Sequence, residues 1–69
     1  MAEQVEAFVT QQRNREFTLA YPQNRERVQV TYVPRTVDEF SVLDEALVKL
    51  RTVRVVLESG SVVSVHPLG

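Results

Sequence analysis

Phe17, Leu19 and Tyr21 place an apolar side chain at every second position, and Val28, Val30 and Tyr32 repeat the pattern a few residues later. A period of two belongs to an extended strand with one face buried and the other wet. Pro22-Gln23-Asn24-Arg25-Glu26 lies between the two runs and reads as a turn, because proline cannot donate to a ladder and Asn tolerates turn geometry. The pair is therefore an antiparallel hairpin whose apolar face needs a cover. That need constrains the rest of the chain.

The cover follows at once. Pro34 ends the hairpin, and Thr36-Val37-Asp38-Glu39 has the form of a capping box. The Thr36 hydroxyl can accept from the Glu39 N–H, and Glu39 can reach back to Thr36. Asp38 and Glu39 also suit the positive end of a helix dipole. Phe40, Leu43, Leu47 and Leu50 then recur at helical spacing with Ala46 between them, and Lys49 and Arg51 fall in the last turn. The spacing predicts a helix over about 37–50 with one apolar stripe.

Val5-Glu6-Ala7-Phe8-Val9-Thr10 fits two periods: Val5, Ala7 and Val9 alternate, while Val5, Phe8 and Val9 share a helical face. We read it as a strand, since a hairpin partner follows. Val53–Leu57 and Val62–His66 flank Ser59-Gly60, a two-residue hairpin loop. Uninterrupted pairing around that loop sets Leu57 against Val62, Val55 against Ser64 and Val53 against His66. On the opposite face it sets Val56 against Val63 and Arg54 against Val65. The expected fold is α+β: a small antiparallel sheet or partly open barrel, order β-β-β-α-β-β, with the helix packed on it and residues 1–69 in one domain.

A 69-residue chain buries a small fraction of its surface, so its stability is marginal unless disulfides, a metal or a partner help. There is no cysteine, which removes disulfides and thiolate metal sites, and the single His66 has no ligand spacing around it. A partner chain is the remaining helper. Absence of cysteine fits a reducing compartment. The N-terminal MAEQVEAFVTQQ has no basic n-region, and no segment is long and apolar enough to span a bilayer, so a cytoplasmic location is expected, with no membrane partner. A chain that begins with Met and ends after a strand reads as a complete small open reading frame.

Catalysis needs convergent groups. Ser64 and His66 share a strand face, but lie about 6–7 Å apart at strand rise, long for a nucleophile and its base. No orienting carboxylate or oxyanion motif accompanies them, so the expectation is a polar pair and no catalytic site. Asp38, Glu39, Asp44 and Glu45 read as a solvated helix face, with no glycine-containing calcium loop. The only glycines are Gly60 and Gly69, so phosphate-cradling loops are absent. Neither a metal nor a cofactor is expected.

The net charge of −1 gives no general attraction to nucleic acid. Its distribution is uneven: residues 1–35 hold five Arg and four Glu (+1), residues 36–69 three basic and five acidic residues (−2). Asn14-Arg15-Glu16 and Asn24-Arg25-Glu26 repeat one motif at the two ends of a strand, roughly 20 Å apart at strand rise. Arg13, Arg15, Arg25 and Arg27 are thus turn punctuation first and contacts for an anionic ligand second. Phe17 and Tyr32, as cross-strand neighbours, have the look of a base-stacking platform, but share their face with Leu19, Val28 and Val30 and are assigned to the core.

Val56, Val63 and Val65 around Arg54 fall on the face that the helix does not cover, where they make an exposed apolar patch. The leading expectation is a non-enzymatic protein-binding or regulatory module that acts through a partner or a homodimer packed on Arg54, Val56, Val63 and Val65. A nucleic-acid-binding protein and a structural assembly subunit are the alternatives.

Overall fold

A computed structural model describes residues Ala2 to Leu68. Five strands, β1 (Ala2–Arg13), β2 (Glu16–Gln23), β3 (Glu26–Tyr32), β4 (Thr52–Glu58) and β5 (Ser61–Pro67), form one antiparallel sheet in the order β3-β2-β1-β4-β5. A single helix, α1 (Val37–Lys49), lies between β3 and β4 in the chain and packs over β1, β4 and β5. The α+β class and the element order are as the sequence predicts. The sheet is open, with β3 and β5 as its two edges.

The ambiguous segment 5–10 is strand, inside a β1 of 12 residues. β1 serves two neighbours in turn. Ala2 to Phe8 pair with β4, and Phe8 to Arg13 pair with β2. Pro22 explains the handover. In the hairpin β2–β3 the residue next to the loop, Gln23, pairs with Glu26, so backbone groups alternate and those of Ala20 and Pro22 face β1. Ala20 has an N–H to give and pairs with Phe8; Pro22 has none, and the β1–β2 ladder stops there. Pro22 and Gln23 therefore belong to β2, and the turn expected over 22–26 shrinks to Asn24-Arg25, both with positive φ (52° and 67°), as a type I′ loop demands. Ser59 and Gly60 (φ 54° and 80°) form the same kind of loop between β4 and β5.

Phe17 and Tyr32 are direct cross-strand partners and both are buried, as are Leu19 and Tyr21 beside them. Leu43 and Ala46 of α1 are buried in the same core cluster as Ala7, Val53 and Val55 of β1 and β4, with Val42 and Leu47 packed at its margin. The small Ala7 and Ala46 at the contact let helix and sheet approach closely. The Thr36 cap is present: its Oγ1 accepts from the Glu39 N–H at 3.1 Å. The expected return bond does not form; the Glu39 side chain bonds the Arg35 N–H instead. Nor does the stripe reach Leu50. The helix stops at Lys49, and Leu50 takes a left-handed conformation (φ 56°) that turns the chain toward β4 and leaves its side chain 85% exposed.

The last hairpin departs from the expected pairing. Leu57 faces Val62 as predicted, but beyond it Val56 pairs with Ser64, Val55 with Val65, Arg54 with His66 and Val53 with Pro67. Val63 is the extra residue of a β-bulge, and the bulge moves every later side chain of β5 to the other face. Val65 thereby joins the core, 3% exposed, rather than the open face. Burying a valine is worth about 1.5–3 kcal/mol, which exceeds the roughly 1 kcal/mol of a hydrogen bond disturbed at the bulge. The same slip places Ser64 and His66 together on the open face.

Candidate interaction surface

Glu39 organises one end of the molecule. Its Oε1 accepts from the Tyr32 hydroxyl at 2.8 Å and from the Arg35 N–H at 2.9 Å, and its Oε2 accepts from the Val65 N–H at 3.2 Å. Tyr32 closes edge strand β3 and Val65 lies on edge strand β5, so one carboxylate ties both free edges of the sheet to the helix start. Burial raises the carboxyl's pKa, but the bonds from Arg35, Tyr32 and Val65 and the Arg35 charge outweigh it and hold the group below its ordinary range. Burial, together with the bond to that carboxylate and its charge, pushes the Tyr32 phenol up to about 12.

These bonds fix the segment from Tyr32 to Thr36, and a shallow groove opens beside it. Arg15, Pro34, Arg35, Thr36, Val37 and Phe40 line it. Phe40 is held edge-on against buried Phe17, ring centroids 5.3 Å apart and 75° between planes, yet remains 37% exposed. Val37, one turn earlier, is 82% exposed. Val48 is also exposed (74%), but it lies about three turns further along α1, with Ser41 and Asp44 between it and Val37.

The four arginines singled out by the sequence separate as their turns do. Arg15, in the Asn14-Arg15 loop, reaches the groove, where Arg35 joins it; Arg13 ends β1. Arg25 and Arg27 lie at the opposite end of β2, around a depression shared with Pro22 and with Phe8, which is 54% exposed on the helix-free face. Arg54 stands between Glu6 and His66 in register on that face. Val56 and Val63 are half-buried, and with Val65 in the core the expected valine patch around Arg54 is reduced to these two.

His66 Nε2 and Ser64 Oγ lie 3.0 Å apart, closer than strand rise suggests, because their side chains lean together. Ser64 is the one hydrogen-bond partner of the His66 side chain among the described residues, and the pair lies on the sheet's polar face with His66 exposed and Ser64 partly so. Of the acidic residues on α1, Glu45 bonds Lys49 Nζ at 3.1 Å, which holds its pKa below the ordinary value, and Glu39 is turned inward. Among the described residues no helix is long and apolar enough to cross a membrane.

Sequence reasoning passed over Arg35, Val37, Phe40 and Phe8 as surface residues. The capping box was a signal for part of this, since a Glu at the third helical position is aimed back toward the residues before the cap. No family model, curated protein or solved structure matches the chain.

Proposed function

We propose that the chain is a small non-enzymatic, regulatory interaction module of the cytoplasm, and that its groove takes an acidic, apolar-bearing segment of a protein partner. The observation that carries this reading is the exposure of Val37 and Phe40 beside Arg15 and Arg35. Contiguous exposed apolar surface is what soluble proteins avoid outside their contact sites. Aromatic and Arg side chains carry most of the energy at such sites. The Glu39 bonds hold the groove wall in place before a partner arrives, which lowers the ordering cost of binding. The Ser64–His66 pair has no orienting carboxylate bonded to it among the described residues and supports no hydrolytic role.

The test is a titration of ¹⁵N-labelled protein with a synthetic acidic peptide bearing Leu and Phe, and with its basic counterpart. Amides of Arg15, Arg35, Val37 and Phe40 should shift with the acidic peptide alone, and Phe40→Ala with Arg15→Gln should weaken binding at least tenfold. Equal response to both peptides, or none, removes the reading.

One observation favours a second reading. Exposed Phe8 beside Arg25 and Arg27 has the elements of a stacking contact for single-stranded nucleic acid. That reading requires oligonucleotide binding that weakens with salt and is lost in Phe8→Ala.

A further inference from the structure

The two edges of the sheet are treated differently. On β5, the alternation of backbone groups set by the bulge turns Val62, Val65 and Pro67 outward. Val65 gives its N–H to Glu39 at 3.2 Å, Pro67 has none to give, the bulge at Val63 interrupts the strand, and α1 packs along it. These are the devices by which proteins blunt an edge. β3 has none of them. Its pairing with β2 is regular from Glu26 to Tyr32, without bulge or proline. Counting from the Gln23–Glu26 pair beside the loop, Glu26, Val28, Val30 and Tyr32 bond β2, and Arg27, Gln29 and Thr31 turn both N–H and C=O away from the sheet.

We propose that β3 is the contact through which two copies of this chain pair, antiparallel and two-fold, with Gln29 opposite Gln29 of the second copy. This deepens the reading of the chain as an interaction module and rests on it. The register follows from the count of outward groups. A two-fold at Gln29 bonds Gln29 to itself and Arg27 to Thr31 in both directions, so all three outward residues of each copy are paired. A two-fold at Val28 or Val30 pairs only two of the three. Side chains agree with the same register. On the helix-covered face, half-buried Val28 meets Val30 of the second copy, which covers both. On the open face Arg27 meets Thr31, and the two Arg27 side chains stay about 13 Å apart, four residues at strand rise, so no like charges are opposed. The two-fold contact is closed and joins the two sheets into one of ten strands, which leaves the blunted β5 edges outside.

Sedimentation equilibrium of the full chain should show a dimer. Gln29→Pro removes an outward N–H that the chain's own ladder does not use, and should give a monomer with native circular dichroism. Thr31→Lys sets a cation against Arg27 of the second copy and should raise the dimer dissociation constant at least tenfold. Thr31→Glu should lower it, with the gain lost in high salt. These two substitutions keep the test decisive if Gln29→Pro does not fold. A monomeric wild type overturns the proposal, and so does a dimer indifferent to all three substitutions. The acidic-peptide titration repeated on the monomeric variant separates the two readings: retained groove shifts leave the module reading standing whatever becomes of the dimer, and a dimer without groove shifts leaves only the pairing.

Discussion

The Tyr32 hydroxyl donates to the Glu39 carboxylate at 2.8 Å, and the same carboxylate accepts from the Val65 N–H on the other edge of the sheet. An open sheet is thus held across its gap by one side chain of the helix that covers it. Removing that carboxylate strands the phenol and two backbone donors at once.

The pair should be visible in pH titrations. Glu39 binds its proton less readily folded than unfolded, so its contribution is fully present above the unfolded pKa and is lost as the pH falls through the folded one. Tyr32 has the opposite sign: its pKa is raised from 10.0 to about 12, so its contribution is present below 10 and is lost as the pH rises toward 12. Ultraviolet titration should show one phenol ionising near 12, absent in Tyr32→Phe. Glu39→Gln should cost about 1–3 kcal/mol at neutral pH and flatten the acid limb of the stability profile. If the phenol lost in Tyr32→Phe titrates at the ordinary value, that would falsify the clasp.

Leu43 and Leu47 belong to one stripe but not to one depth. Leu43 is completely buried, while Leu47 packs at the margin of the core. Leu43→Ala should cost about 2–5 kcal/mol, and Leu47→Ala distinctly less. Urea unfolding of the two variants measures the difference, and equal midpoints would put the helix in a different rotation.

The bulge at Val63 separates three valines that uninterrupted pairing would group together. Val65→Lys buries a charge in the core and should prevent folding, whereas Val56→Lys and Val63→Lys, on half-buried positions, should leave native circular dichroism. The reverse ranking would mean that β5 pairs without a bulge.

Leu50 carries left-handed strain with no packing in return. Glycine removes a conformational cost of about 1–2 kcal/mol and adds roughly 0.5–1 kcal/mol of unfolded-state entropy. Leu50→Gly should therefore raise the thermal midpoint modestly. A lowered midpoint would show that the Leu50 side chain has a contact after all.

The hairpin β2–β3, the start of α1 at Thr36 and the two-residue loop at Ser59-Gly60 were all legible along the chain, whereas the periodicity of residues 5–10 fitted strand and helix alike and only the hairpin that follows chose the strand. Each of the three legible features depends on residues within one turn or one strand pair, so local periodicity, capping chemistry and positive φ at a loop suffice to specify it. The groove's arginine was half legible, since Arg15 stood out in its repeat but its neighbour Arg35 did not. The face of Val65 was not legible. Valines occur at both parities of β5, so the pattern supports either register, and only competition between an unbroken ladder and a filled core chooses the bulge. The same holds for Glu39. Its place in a capping box could be read from Thr36, three residues away, but its bonds to Tyr32 and to Val65, 26 residues on, exist because packing brings two sheet edges to one helix end. Short-range patterns encode elements and their wet and dry sides; offsets between elements are settled by what the assembled core will accommodate.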